Sequence, residues 1–289
     1  KTSTWDGYRK IVYNALIPEL GRIYLSDLLR RHIREMCDKM IDVTNKRLSN
    51  IQSVLRAALQ DALDEDLIDT NPLYGWRYKR AEALKPSDHI DPFDKSEQAA
   101  IIDACENRLH GNLFKFAFWT GLRTNELVAL TWSDIDWKTK TIRINKSWDY
   151  VYGQKFKRTK TESSIRKISV TDELLNHLKQ LRSLQIQKNL DNPDHMVFLN
   201  NRGRIPTPGA CDLLLKNYHT TLEIKRISFH GLRHTHASSL LYCGVKMEYI
   251  SKRLGHKNSS ITRNVYAHLL TEDQKQEESR TLNALAKFS

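Results

Sequence analysis

Paired cysteines, glycine-rich stretches and long apolar runs are missing from this sequence, and each absence removes a class of protein. The four cysteines, Cys37, Cys105, Cys211 and Cys243, are scattered and form no CxxC pair. That argues against a zinc site and fits unpaired thiols in a reducing compartment. With 11 Gly and 7 Pro among 289 residues, the chain is neither collagen-like nor low-complexity. No stretch approaches the roughly 18 to 20 apolar residues that a membrane-spanning helix needs, and the opening KTSTWDGYRK has no apolar signal-peptide core. The expected location is the cytoplasm, with no membrane partner. Acidic residues are also in deficit: 34 Asp and Glu stand against 46 Lys and Arg, a formal charge of +12. Such a surface attracts nucleic acid or an anionic membrane over about a Debye length, and DNA is the more economical reading. The chain begins without Met, in a stretch already patterned as helix, so a further N-terminal region is expected.

What is present reads as a mainly helical protein with a small antiparallel β-sheet. The length suits two domains with their own cores: a helical module over residues 1–80, a linker over 81–93, and a second domain over 94–289 that includes a C-terminal tail. The clearest element of the first module runs from Asn45 to Asp66, where Ile51, Val54, Leu55, Ala58, Leu59, Ala62 and Leu63 form the stripe of an amphipathic helix. A helix from Thr4 to Ile17 is expected to stop at Pro18, and another from Asp27 to Met40 to start at a Ser26 N-cap. The linker is polar, with Pro86 and Pro92. Asp94 with Glu97 spells a capping box that opens the second domain. Three β-like segments follow, Thr141 to Ile144, Tyr150 to Phe156 and Ile165 to Val170, broken by Gly153 and the polar run Thr159 to Ser164. Helical patterning returns from Thr171.

Breaking a DNA phosphodiester without a metal takes a nucleophile, cations on the non-bridging oxygens and an acid for the leaving sugar oxygen. The second domain holds candidates for each: Arg123 in GLRTNEL, Lys160 in RTKT, His230 and Arg233 in HGLRH, His256 in RLGH, and Tyr266 in NVYAHL. In order and context these motifs resemble the tyrosine recombinase (phage-type integrase) family. The resemblance covers the second domain in detail and the first only by type, as a core-binding module. It implies a two-domain DNA clamp in which Arg123 and Arg233 hold the scissile phosphate, His230 and His256 donate to it, Lys160 protonates the leaving 5′ oxygen, and Tyr266 forms a 3′-phosphotyrosyl link. It implies no cofactor. The implied partners are double-stranded DNA attachment sites, three further copies of the chain joined through the C-terminal tail, and room for accessory DNA-bending proteins. Glu126, three residues after Arg123, is expected to orient an arginine or its helix, and Gly255 to make a tight turn.

Blander readings stand beside these. His230, His234 and His236 share metal-ligand spacing, but the Glu of an HExxH site is absent, and His234 and His236 read as structural. Phe114, Phe116, Phe118, Trp132 and Trp137 read as core. In the first module Lys46, Arg47, Arg77, Lys79 and Arg80 are candidate phosphate contacts, against the alternative of a solvated face. Two other functions use the same residues: a type IB topoisomerase-like or dimer-resolving enzyme, and a non-catalytic DNA-binding regulator.

Overall fold

Helices and an extended tail build the first of two units, Lys1–His89; the second is Ile90–Ser289. The computed structural model describes residues 2–80, 92–105, 109–150, 153–159 and 162–256. Most of the expected linker, Lys160, Tyr266 and the C-terminal tail lie outside the described residues. Among the described residues no helix is long and apolar enough to cross a membrane.

Pro18 does not end the first helix. Helix α1 (Thr2–Ile11) runs into a π turn, Val12–Leu16, and continues as α2 (Ile17–Leu20). In the π turn the Ile17 amide bonds to the Val12 carbonyl, five residues back. Pro18 thus enters at the start of a fresh turn, where a missing N–H is tolerated. Nor does Ser26 cap the next helix. It sits in the 3₁₀ turn Leu25–Asp27, and α3 (Arg30–Lys39) starts after Leu29, whose amide donates to His32 Nδ1 at 3.2 Å.

Helix α4 (Asn45–Asp64) follows the predicted stripe. Thr44 caps it by accepting the Arg47 amide at 3.3 Å, and Leu48, Ile51, Leu55, Leu59 and Ala62 are buried. One buried position is polar. Gln52 donates to Tyr78 O at 3.0 Å and accepts the Tyr78 amide at 2.9 Å. Asn45 does the same for Arg80, and Arg56 donates to Trp76 O. Side chains along α4 thus hold residues 76–80 in extended form, as a neighbouring strand would. Alternation then decides exposure: Trp76, Tyr78 and Arg80 are half-buried, while Arg77 and Lys79 are exposed.

In the second unit α5 (Lys95–Ala104) opens with the predicted capping box: Asp94 Oδ1 accepts the Glu97 amide at 2.9 Å, and Glu97 accepts the Asp94 amide at 2.9 Å. Phe93, assigned to the linker from sequence, is buried in this unit's core. Helix α6 (Leu109–Thr120) is apolar almost all round and therefore central: Phe114, Phe116 and Phe118 are buried, and Trp132 and Trp137 pack partly buried against the same core. Then come α7 (Thr124–Leu127), β1 (Ile135–Asp136), β2 (Thr141–Ile144), β3 (Lys146–Asp149), β4 (Lys155–Arg158) and β5 (Arg166–Ser169). The strands form a three-stranded antiparallel sheet, β1-β2-β5, and a separate β3-β4 hairpin. The run from Tyr150 to Phe156 is thus not one strand. Gly153 and Gln154 have φ of 92° and 47°, a left-handed backbone that breaks a strand and makes the hairpin's turn. Helices α8 (Asp172–Gln187), α9 (Pro208–Leu222), α10 (Gly231–Tyr242) and α11 (Met247–Leu254) complete the described unit.

Candidate active site

Two left-handed glycines bring the candidate residues together. Gly121, at φ 62°, turns the chain from α6 towards α7, and a Cβ there would lie 2.5 Å from the His236 ring. Gly255, at φ 71°, caps α11 and delivers His256; a Cβ there would lie 2.8 Å from Arg166 Nη1. Arg123 is the N-cap residue of α7, and His230 that of α10, with Arg233 in the following turn. The start of α7, the start of α10 and the end of α11 therefore meet.

Arg233 is 3% exposed. Its Nη1 donates to Gly121 O at 2.6 Å, and its Nη2 to Leu254 O at 2.7 Å and to His256 Nε2 at 2.9 Å. Because guanidinium only donates, His256 Nε2 accepts, and in the neutral ring the proton is on Nδ1. Burial first, then Arg233, Arg123 and Arg166, push the His256 pKa down to about 4. Arg123 remains more open, its side chain 36% exposed, and Nη1 pairs with Glu126 Oε1 at 2.8 Å. Its Nη2 reaches towards Gly255 O at 3.4 Å. His230 presents an edge to solvent, beside His234 with ring centroids 5.4 Å apart. Desolvation by the protein around the ring, then Arg233 and Arg123, hold its pKa below the ordinary imidazole value.

Beneath these cations lies one carboxylate. Glu126 is 4% exposed and binds Arg123 above and Arg166 on the far side, the latter at 3.0 Å. Burial alone would raise its pKa, but Arg166, and after it Arg123 and Arg233, keep it below the usual carboxylate value. One carboxylate thus pairs with two guanidinium groups while Arg233 stands close by, and the surplus is positive. Such prearranged, positively charged donors suit an anionic oxygen of the phosphate type.

Sequence reasoning missed Arg166 and Arg253. Arg166 Nε donates to Arg253 O at 2.6 Å. Arg253 Nε donates to His236 Nε2 at 3.2 Å, and His236 Nδ1 donates to Phe118 O at 2.7 Å. This chain of contacts ties β5, α11, α10 and α6 together behind the site. A signal for Arg166 existed: it alternates with buried Ile168 on the inward face of β5, where a charge requires a partner. His234 and His236 have pKa values lowered to about 4 and about 3, by burial first. Among the described residues no group of three or more His, Cys, Asp or Glu is arranged to hold a metal ion.

The structure brings Arg123, His230, Arg233 and His256 into one site, whereas Lys160 and Tyr266 lie outside the described residues. Lys46, Arg47, Arg77 and Lys79 are exposed on the first unit. Arg80 is not free to serve a phosphate in the same way. Its guanidinium donates to the carbonyls of Cys37, Met40, Ile41 and Val43 and closes the C-terminal end of α3.

Residues 92–273 match the phage integrase family. Over 302 aligned residues the chain is 30% identical to a XerC-like tyrosine recombinase of Caldanaerobacter subterraneus, covering 96% of this chain and 76% of the relative. It is 28% identical to the ICEBs1 integrase of Bacillus subtilis, covering 86% of this chain and 67% of that protein. In fold it is similar to the Tn1549 transposon integrase, solved with a circular intermediate DNA: the TM-score is 0.82 at 20% identity, over 97% of this chain and 94% of that one.

Proposed function

This chain belongs to the phage integrase family, the site-specific tyrosine recombinases that cleave and rejoin DNA, and on that premise we propose a role for each candidate residue. Arg123 and Arg233 hold the two non-bridging oxygens of the scissile phosphate. His256 and His230 donate hydrogen bonds to them. The Tyr266 hydroxyl oxygen attacks phosphorus and its proton passes to His230, whose lowered pKa favours the unprotonated ring that can accept it. The bond to the 5′ oxygen breaks, and that oxygen takes a proton from Lys160. The products are a 3′-phosphotyrosyl link and a free 5′-hydroxyl. Because the new ester retains the energy of the old one, rejoining needs neither ATP nor a cofactor.

The observation that carries this reading is the convergence of Arg123, His230, Arg233 and His256, with Arg123 held by the buried Glu126 and Arg233 bonded to His256. In the first unit, Lys46 and Arg47 on the opening turn of α4 and the outward Arg77 and Lys79 are proposed to contact DNA phosphates. The first helical turn is itself attractive to anions. The working assembly is proposed as four protomers on two attachment-site duplexes in the cytoplasm, coupled through the residues after Tyr266.

Two-site recombination tests the proposal. Wild-type protein should yield recombinant duplexes from a four-protomer complex. Tyr266→Phe should assemble without product, and removal of residues 281–289 should weaken assembly. Relaxation of supercoiled DNA by single protomers, without a need for paired sites, would favour a topoisomerase-like enzyme instead.

A further inference from the structure

Among the described residues outside the arginine cluster, one charged side chain is buried without a counter-charge. Lys115 lies midway along α6 between the core residues Phe114 and Phe116 and is 8% exposed. No hydrogen bond or ion pair engages its ammonium among the described residues. Lysines are almost never buried unless paired, because an ammonium stripped of water needs an anion in exchange. The proposed recombination chemistry makes no use of it.

Lys115 lines a cavity of about 560 Å³ between α6 and α8. Asn112, three residues earlier on α6, lies on the same face, and His177, Lys179, Gln180 and Ser183 line the α8 side. His177 is packed against Trp119, with ring centroids 5.1 Å apart. Among the described residues, the lining contains two lysines and neither Asp nor Glu. A buried cation, a second cation at the rim and polar side chains on both walls match the oxygens of a phosphate group, which accept from ammonium and amide donors alike.

We propose that the groove between α6 and α8 is a phosphate-binding pocket centred on Lys115. The phosphate is either a free phosphate ester or part of a DNA backbone, and the two sources can be separated. The test compares thermal unfolding of the whole chain in inorganic phosphate and in chloride at equal ionic strength, for the wild type and for Lys115→Met, which keeps most of the volume. With phosphate at about ten times its Kd, the wild type should gain about 3–5 °C more than the variant. The comparison cancels any phosphate bound at the arginine cluster. Should Lys115→Met fail to fold, Lys179→Ala at the exposed rim should reduce the same gain. A second arm measures short-duplex binding over a range of salt. A slope of log K against log salt that is shallower by about 0.9 in the variant assigns the pocket to a DNA phosphate; an unchanged slope with a lost thermal gain assigns it to a free phosphate. Equal thermal gains together with equal salt slopes in wild type and variants overturn the proposal.

Discussion

Arg233 directs its two terminal nitrogens at Gly121 O, Leu254 O and His256 Nε2, a geometry that one planar fork satisfies and an ammonium does not. Arg233→Lys should therefore lower the rate of covalent complex formation by at least about 100-fold, the scale of losing one prearranged donor to a developing charge. Duplex affinity should change far less, and single-turnover cleavage beside a binding assay would show it; equal cleavage rates would contradict the account. His236 makes a prediction about stability. It is neutral in the folded chain, donating from Nδ1 to Phe118 O and accepting from Arg253, and its pKa is pushed down to about 3. Below the ordinary imidazole pKa of about 6.5 the unfolded chain binds a proton that the folded chain refuses. Stability is then full above about pH 6.5 and falls on acidification, by up to about 1.4 kcal/mol per pH unit from this residue. Urea unfolding at pH 7 and pH 5 should show a smaller acid loss in His236→Gln than in wild type; identical losses would place the titration elsewhere.

The elements divide into those set by local chemistry and those set by distant partners. Helix α4 and the Asp94–Glu97 capping box were legible because apolar spacing and a reciprocal cap need only neighbours in sequence. The passage of a helix through Pro18 was not, since it depends on a shift of hydrogen-bond register at Val12–Leu16. Of the β3-β4 hairpin only the break at Gly153 was legible, because its pairing of Trp148 with Phe156 joins residues across a left-handed turn. The 76–80 tail shows the same limit within one basic run. Arg80, grouped by sequence with Arg77 and Lys79 as a phosphate contact, is engaged by four carbonyls near the end of α3. Arg80→Ala should cost the first unit about 1–3 kcal/mol, as expected when several partly buried acceptors lose a charged donor. Arg77→Ala should leave stability unchanged and weaken DNA binding. Chemical unfolding and duplex titration of the two variants separate these effects, and the opposite pattern would refute the assignment.

Across the whole molecule, the candidate site draws on positions from Gly121 to His256 and joins helix ends that are far apart in the chain. Its arginines and histidines were legible because their motifs keep a family order, not because any single residue type was informative. Arg166 and Arg253 were not legible: their contribution is to hold Glu126 and the turn before His256, and such support is written in contacts rather than in motifs. The surplus positive charge that results is what the proposed attack of Tyr266 on a phosphate diester requires. That central claim, a transient bond between Tyr266 and DNA, is tested most directly by trapping the protein on a nicked attachment-site duplex, digesting the adduct and locating the modified residue by mass spectrometry. The account predicts a nucleotide 3′-phosphate on Tyr266 and no adduct from Tyr266→Phe. An adduct on any other residue, or specific binding without an adduct from the intact chain, would contradict it.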